Sequence, residues 1–378
     1  EKATGEVVSD EMYIPTDYRY RYQTSTVTRN GMTFVADWAP TVNTKFTLSA
    51  VYNERKDDAE RYRNRLRFRD NGNGYYLMED GSIGSERMRS ITQVSTQNEK
   101  IRNFNINLDG ESTIGSWKVD GGLFYTLSKR NYESEMMGFQ TPEWRAGKKV
   151  NGVTIPKGTV IGVMPTIYTK YLTGKYTYEP TGNMGTEAPD AISRYNLYTV
   201  ENNNQITEGT NFTARANVSK NYYIKDYAST FSFGVKSKFM NNTGEVPVGT
   251  NTYSYTASEA NNLSNLLYTE QLDTKFLNNK LHFGKVPSFS KTKAYMNNPV
   301  NAGDARVNEY FSNMNREGTY YDTQEKVFAG YVMNKTQIDN VMLLAGVRVE
   351  HSRELQGKQN RTLCRSECSD TERQSGCI

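Results

Sequence analysis

Eight segments of this chain alternate apolar and polar side chains with a period of two, and that alternation limits the fold more than any other feature. Met32, Phe34, Ala36 and Trp38 alternate with Thr33, Val35 and Asp37. Phe46, Leu48, Ala50 and Tyr52 form a second stripe, and Phe104, Ile106 and Leu108 a third. Further stripes are Trp117 to Leu127, Phe212 to Val218 and Phe231 to Phe239. Val327, Ala329, Tyr331 and Met333 form a seventh, and Val341 to Val349 an eighth; both of these runs are apolar on either side. Successive side chains of a strand point to opposite faces, so each run predicts a strand with one apolar side. No comparable 3.6-residue period is present, so the sequence predicts eight strands and little helix.

The connections alternate too. Pro40 to Thr44, Gly110 to Ser116, Asn221 to Ala228 and Asn334 to Asn340 are short. Between them lie long stretches, from about Glu54 to Lys100, Asn131 to Gln205 and Asn242 to Gln324. Antiparallel strands shuttle between two ends, so every long connection falls at one end and every short one at the other. Connections beyond about 12–15 residues are uncommon in compact domains. Short turns at one end, long loops at the other and apolar-out, polar-in alternation are the marks of an outer-membrane β-barrel.

Lipid cannot satisfy backbone N–H and C=O groups, so a spanning sheet must close on itself. Its outer face meets hydrocarbon, while its inner face meets water and can carry Asn, Thr, Lys and Asp. Such a sheet has modest overall hydrophobicity, which accommodates the 36 % apolar content here. On this reading Asn103, Asn105, Asn107, Arg215, Asn217, Lys236 and Lys238 face the lumen, and Tyr52, Trp38, Trp117 and Tyr125 suit the interfacial aromatic girdles.

Particular residues also resemble a family. Arg29-Asn-Gly-Met-Thr-Phe-Val-Ala-Asp-Trp-Ala-Pro40, Asn43 to Asn53 and the run Asp57-Asp-Ala-Glu-Arg-Tyr-Arg-Asn-Arg65 resemble the barrel of TonB-dependent outer-membrane transporters. Glu325-Lys-Val-Phe-Ala-Gly-Tyr-Val-Met333 followed by Met342-Leu-Leu-Ala-Gly-Val-Arg-Val-Glu350 is similar to a recurrent hairpin of that family. The resemblance implies an all-β, transmembrane antiparallel β-barrel, of which this chain carries about eight of 22 strands, with long extracellular loops. It implies residence in the bacterial outer membrane, among lipid and lipopolysaccharide. It also implies uptake of a scarce ligand (siderophore, cobalamin or carbohydrate) bound by loops and upper lumen. Energy would come from a TonB-type complex acting through an N-terminal plug, which nothing before Met32 resembles. Residues 1–360 are therefore expected to be part of a barrel, and 361–378 an irregular tail holding Cys364, Cys368 and Cys377. The tail's Cys spacing matches no strong zinc pattern.

The clearest candidate site is a charge pattern. Arg61, Arg63, Arg65, Arg67 and Arg69 alternate strictly, which puts them on one strand face with Tyr62, Asn64, Leu66 and Phe68 opposite. Guanidinium groups in such a ladder grip carboxylates or phosphates; the competing reading is a solvated strand extension balanced by Asp57, Asp58 and Glu60. Aromatic loop residues that can stack on a ligand include Tyr75, Tyr76, Trp144, Tyr168 and Tyr171.

Several functions are disfavoured. The two histidines, His282 and His351, cannot build a multi-His metal site or a credible Ser/His/Asp set, and the adjacent Asp57 and Asp58 point to opposite faces and not across a substrate. Asp70-Asn-Gly-Asn-Gly74 has Gly81 where an EF-hand has Glu, so it reads as a turn. A net charge of +4 does not point to nucleic acid. The expectation is a non-enzymatic protein with no cofactor. Alternatives are a soluble or surface β-rich adhesin or carbohydrate-binding protein, a small eight-stranded outer-membrane barrel, or a secreted β-rich glycosidase.

Overall fold

The alternating segments become one antiparallel ladder. A computed structural model of the protein describes residues 3–7, 16–69, 71–72, 74–79, 83–150, 152–163, 192–247, 250–268 and 286–357. Its long strands are β1 (Asp17–Thr41), β2 (Thr44–Arg69), β3 (Arg87–Ile114) and β4 (Trp117–Gln140). They continue as β5 (Asn196–Ile224), β6 (Tyr227–Glu245), β7 (Tyr321–Ile338) and β8 (Val341–Gln356). Each pairs antiparallel with its sequence neighbour, in the order β1 through β8. Among the described residues β1 pairs only with β2 and β8 only with β7, so the sheet is open at both edges. Among the described residues nothing pairs β1 with β8, as the small eight-stranded barrel would require.

The four short connections are two-residue turns between paired strand ends: Thr41 to Thr44, Ile114 to Trp117, Ile224 to Tyr227 and Ile338 to Val341. Gly115, Lys225 and Asp339 take positive φ (61°, 56° and 49°) at the first turn position, as tight hairpins require.

The strands run farther than the sequence predicts. They span 16 to 29 residues, against the expected ten or so. The stretch from Glu54 to Lys100, expected as a loop, is mostly ladder: β2 continues to Arg69 and β3 begins at Arg87. Charges on both faces between Glu54 and Glu60 erase the apolar–polar contrast there while the backbone goes on pairing. The described parts of the remaining long connections also hold two α-helices the alternation did not reveal. Helix α1 (Phe289–Asn297) is capped by Ser288, whose side chain accepts from the Lys291 N–H. Helix α2 (Glu309–Thr319) is capped by Asn308 through the Phe311 N–H. No helix among the described residues is long and apolar enough to cross a membrane.

The register sorts the side chains onto two faces. Phe34 lies opposite Ala50, Ala50 opposite Ile106, and Ile106 opposite Tyr125. Tyr125 in turn faces Phe212, and Phe212 faces Phe239. This belt face carries seven of the eight stripes read from the sequence. The stripe Val327, Ala329, Tyr331 and Met333 is the exception: register puts it on the other side, and Phe328 and Val332 supply β7's share of the belt. The two sides of β7 were indistinguishable because both are apolar. Trp38 and Trp117 sit by the tight turns and Tyr52 at the far end of its stripe, whereas Tyr125 lies inside the belt between Ile106 and Phe212.

The expected lumenal residues share the opposite, polar face. Arg215 pairs in register with Lys236 and donates to Asp109 at 3.0 Å, and Asn217 donates to Asp120 at 2.8 Å. Asn103, Asn105 and Asn107 lie along β3 on that same face.

The belt face has three zones along the strands. Near the tight turns its apolar side chains are bare: Met32 is 74 % exposed, Phe34 57 %, Val235 62 % and Val347 66 %. Next comes a charged collar, where Glu54 meets Lys100 at 3.0 Å and Arg102 at 3.2 Å, and Lys129 meets Glu208. Beyond the collar the face is apolar again but covered. Tyr62, Val94, Met137, Phe139 and Val200 pack beneath Leu263, Leu266, Val286 and Tyr295 of the last long connection. Higher still, Leu66, Phe68 and Met88 pack beneath Met78, Trp144, Ile155 and Ile161.

Candidate functional site

The strict alternation of β2 fixes Arg61, Arg63, Arg65, Arg67 and Arg69 on the polar face, because Tyr62, Leu66 and Phe68 fill the core on the other. Register then adds arginines from both neighbours. Arg19 and Arg21 of β1 lie directly opposite Arg65 and Arg63. Arg89 and Arg87 of β3 lie directly opposite Arg67 and Arg69. The result is four cross-strand Arg–Arg pairs on one face, at the long-loop end of the ladder. Like charges placed directly opposite are destabilising, so this arrangement works against the sheet that carries it.

The counter-ions are few and uneven. Asp17 accepts from Arg65 Nε at 2.8 Å and from Arg19 NH2 at 3.1 Å. Burial alone would raise Asp17's pKa, but Arg65 and Arg19 more than offset that and hold the carboxyl well below the usual range. Glu143 accepts from Arg87 at 2.6 Å and lies 3.9 Å from both Arg69 and Arg89. Arg61 is held by amides, donating to Gln23 at 3.0 Å and Gln97 at 3.1 Å. Arg63 donates to Gln93 and makes no ion pair among the described residues, though its charge reaches Glu201. Arg21 and Arg67 make no side-chain hydrogen bond or ion pair among the described residues. The Nε atoms of Arg87 and Arg89 are buried without an acceptor.

The crowding shows in the protonation energetics. Burial, then the charges of Arg19, Arg65 and Arg21, lowers the Arg63 pKa. Burial, then Arg65 and Arg69, does the same to Arg67, and burial is the main cause at Arg89. All three remain cationic near neutral pH, since an arginine starts from a pKa of about 12.5 or more.

An aromatic residue of the third long strand pair also borders the field. A bulge in β5 between Leu197 and Thr199 displaces Tyr198. Its ring lies over Gly138, where an added Cβ would come within 2.8 Å of the ring. Tyr198's pKa is raised by burial and by Glu201, and pulled back by Arg65, Arg63 and Arg89, which places the phenol within electrostatic reach of the arginines. Its hydroxyl makes no hydrogen bond among the described residues. Sequence alternation could not place it on this face, because the bulge shifts the parity of β5.

The aromatic candidates divide differently. Tyr75 and Tyr76 pack against the uppermost core on the belt face, opposite the arginines, and Tyr76 donates to Glu86. Trp144 is 1 % exposed in that core, with the Arg194 guanidinium 4.9 Å from its ring. The structure therefore gives Trp144 a packing role and leaves its ring closed to a ligand. Tyr168 and Tyr171, like the tail at 361–378, lie outside the described residues. No cluster of three or more His, Cys, Asp or Glu able to hold a metal occurs among the described residues.

Comparison with family models, with curated proteins and with solved structures finds no match to this chain.

Proposed function

We propose that this chain is part of the wall of an outer-membrane β-barrel that takes up a scarce ligand. A TonB-type energy complex acting through a plug would drive the uptake, and the ligand (siderophore, cobalamin or carbohydrate) would bind at the external loops and upper lumen. The observation that carries this reading is the bare apolar belt. It crosses all eight long strands, stops at a charged collar, and is backed by a polar face. Leaving a large apolar side chain in water forgoes about 1.5–3 kcal/mol of burial free energy. A soluble protein seldom leaves such a continuous surface open. Hydrocarbon covers it at no such loss, and the belt on β2, from Phe46 to Tyr52, runs roughly 20 Å along the strand at ~3.3 Å per residue. The polar face would then line the lumen, and the arginine field would stand at its external mouth.

Fractionation tests the reading. The protein should sediment with the outer membrane, require detergent to leave it, and migrate faster on a gel before boiling than after. A protein that is monomeric in buffer without detergent would overturn it.

A further inference from the structure

Asp17, Glu143 and, at longer range, Glu201 leave most of the arginine field without a bonded counter-ion. Four Arg–Arg pairs face each other across three strands, while Asp17 and Glu143 are the carboxylates bonded to them. A solvated strand extension has no need of four directly opposed like pairs; the collar instead mixes like pairs such as Arg102 opposite Lys129 with bonded opposite charges at Glu54–Arg102 and Lys129–Glu208. The field is also one-sided. The same strand segments turn an apolar face to the core, so the arginines are held by a rigid, covered sheet and not by a loop. Several of their donors are unused: Arg21 and Arg67 are unpartnered among the described residues, and the buried Nε groups of Arg87 and Arg89 lack acceptors, although Arg89 donates to Gln140 at 3.0 Å through its terminal nitrogen.

We infer that this face is a binding site for a multiply charged oxyanion, a polycarboxylate or polyphosphate, with Arg63 and Arg67 at its centre and Arg21 and Arg89 on either side. Planar guanidinium forks match carboxylate and phosphate oxygens two at a time, which lysines cannot do. A ligand with several oxyanions can bridge opposed arginines and convert their mutual repulsion into attraction. A neutral carbohydrate gains nothing from such a field. The inference narrows the ligand class of the uptake reading and rests on that reading only for the site's place in the lumen.

The test is calorimetric titration of the detergent-purified protein with tripolyphosphate and, separately, with citrate, at low and raised salt. Saturable binding of at least one anion is expected, weakening as salt rises. Which anion binds more tightly separates a phosphate site from a carboxylate site. Arg63→Gln and Arg67→Gln should each weaken binding roughly tenfold or more, as loss of a charged hydrogen bond does. Arg63→Lys should fall between wild type and Arg63→Gln, keeping charge without the fork. Arg348→Gln, on the polar face of the distant β8 and paired there with Glu350, should leave affinity unchanged. The inference is overturned if neither anion saturates the protein, or if the Arg63→Gln/Arg67→Gln double variant, still folded by circular dichroism, binds as wild type does. The gel-mobility test is independent: a heat-modifiable protein that binds no anion sinks only the ligand class. An anion-binding protein that is soluble without detergent sinks only the membrane reading.

Discussion

The two halves of the belt face carry the same kind of side chain and treat it in opposite ways. Around Phe34, Ile106 and Phe212 the apolar residues are bare; around Tyr62, Val94 and Phe139 the chain's own connections bury them. The strands are continuous between the halves, and only the collar of Glu54, Lys100 and Arg102 separates them. Burial inside protein demands shape complementarity, because interiors are close-packed. Burial against a fluid apolar phase demands only that the surface be apolar. Truncation should therefore separate the halves most strongly. Phe139→Ala, at 0 % exposure, should cost about 3–5 kcal/mol of unfolding free energy, transfer and cavity terms together. Phe212→Ala should cost less than half of that in a bilayer, where lipid fills the space left behind. Denaturant unfolding of refolded protein measures both, and equal losses would mean that the belt is packed against protein.

Charge probes the same contrast from the other side. Leu123→Arg puts a cation in the middle of the belt, in register with Leu108 and Ala214. At a bilayer midplane this costs about 2–4 kcal/mol. The heat-modifiable form should become scarce in outer-membrane fractions. Asn105→Arg, on the polar face of β3, should be tolerated. A tolerated Leu123→Arg would break the membrane side of the comparison.

Acid tests the covered half through Asp17. Its carboxyl is held below the usual range, so its contribution is present above the ordinary carboxylate pKa of about 4 and is lost as pH falls through the depressed folded value. Asp17→Asn should therefore destabilise the protein near neutral pH and match wild type in strong acid. The same variant removes a counter-ion from Arg65 and Arg19, so oxyanion affinity should rise where arginine variants lower it. Parallel stability curves at every pH would show that the Asp17 pairs contribute nothing.

Much of this was legible in the sequence. Period-2 stripes predict eight strands, and short connections such as Pro40 to Thr44 and Gly110 to Ser116 predict the tight hairpins. Five arginines at odd positions on β2 gave one charged face. Strand length was not legible, because charges on both faces at Asp57 and Asp58 remove the contrast on which alternation depends. The size of the arginine field was not legible either. Arg19 meets Arg65 and Arg67 meets Arg89 only through cross-strand register, and no local pattern encodes that. The buried role of Trp144 follows from a connection folding back over β3, a long-range event that its neighbours in sequence do not announce.

The smallest expected effect lies at the turn end, where two hairpins bracket the bare half. Gly115 and Lys225 both take positive φ at the first position of a two-residue turn. For an L-residue that conformation costs roughly 1–2 kcal/mol, which glycine avoids. Lys225→Gly should therefore stabilise the β5–β6 hairpin by a few tenths to about 1 kcal/mol, the gain trimmed by glycine's greater freedom when unfolded. Gly115→Ala should destabilise the β3–β4 hairpin by a comparable amount, since nothing crowds an added Cβ there and only φ penalises it. Equilibrium unfolding of the pair gives the check through opposite signs. Two shifts of the same sign would mean that the interfacial surroundings of these turns, and not backbone conformation, set their stability.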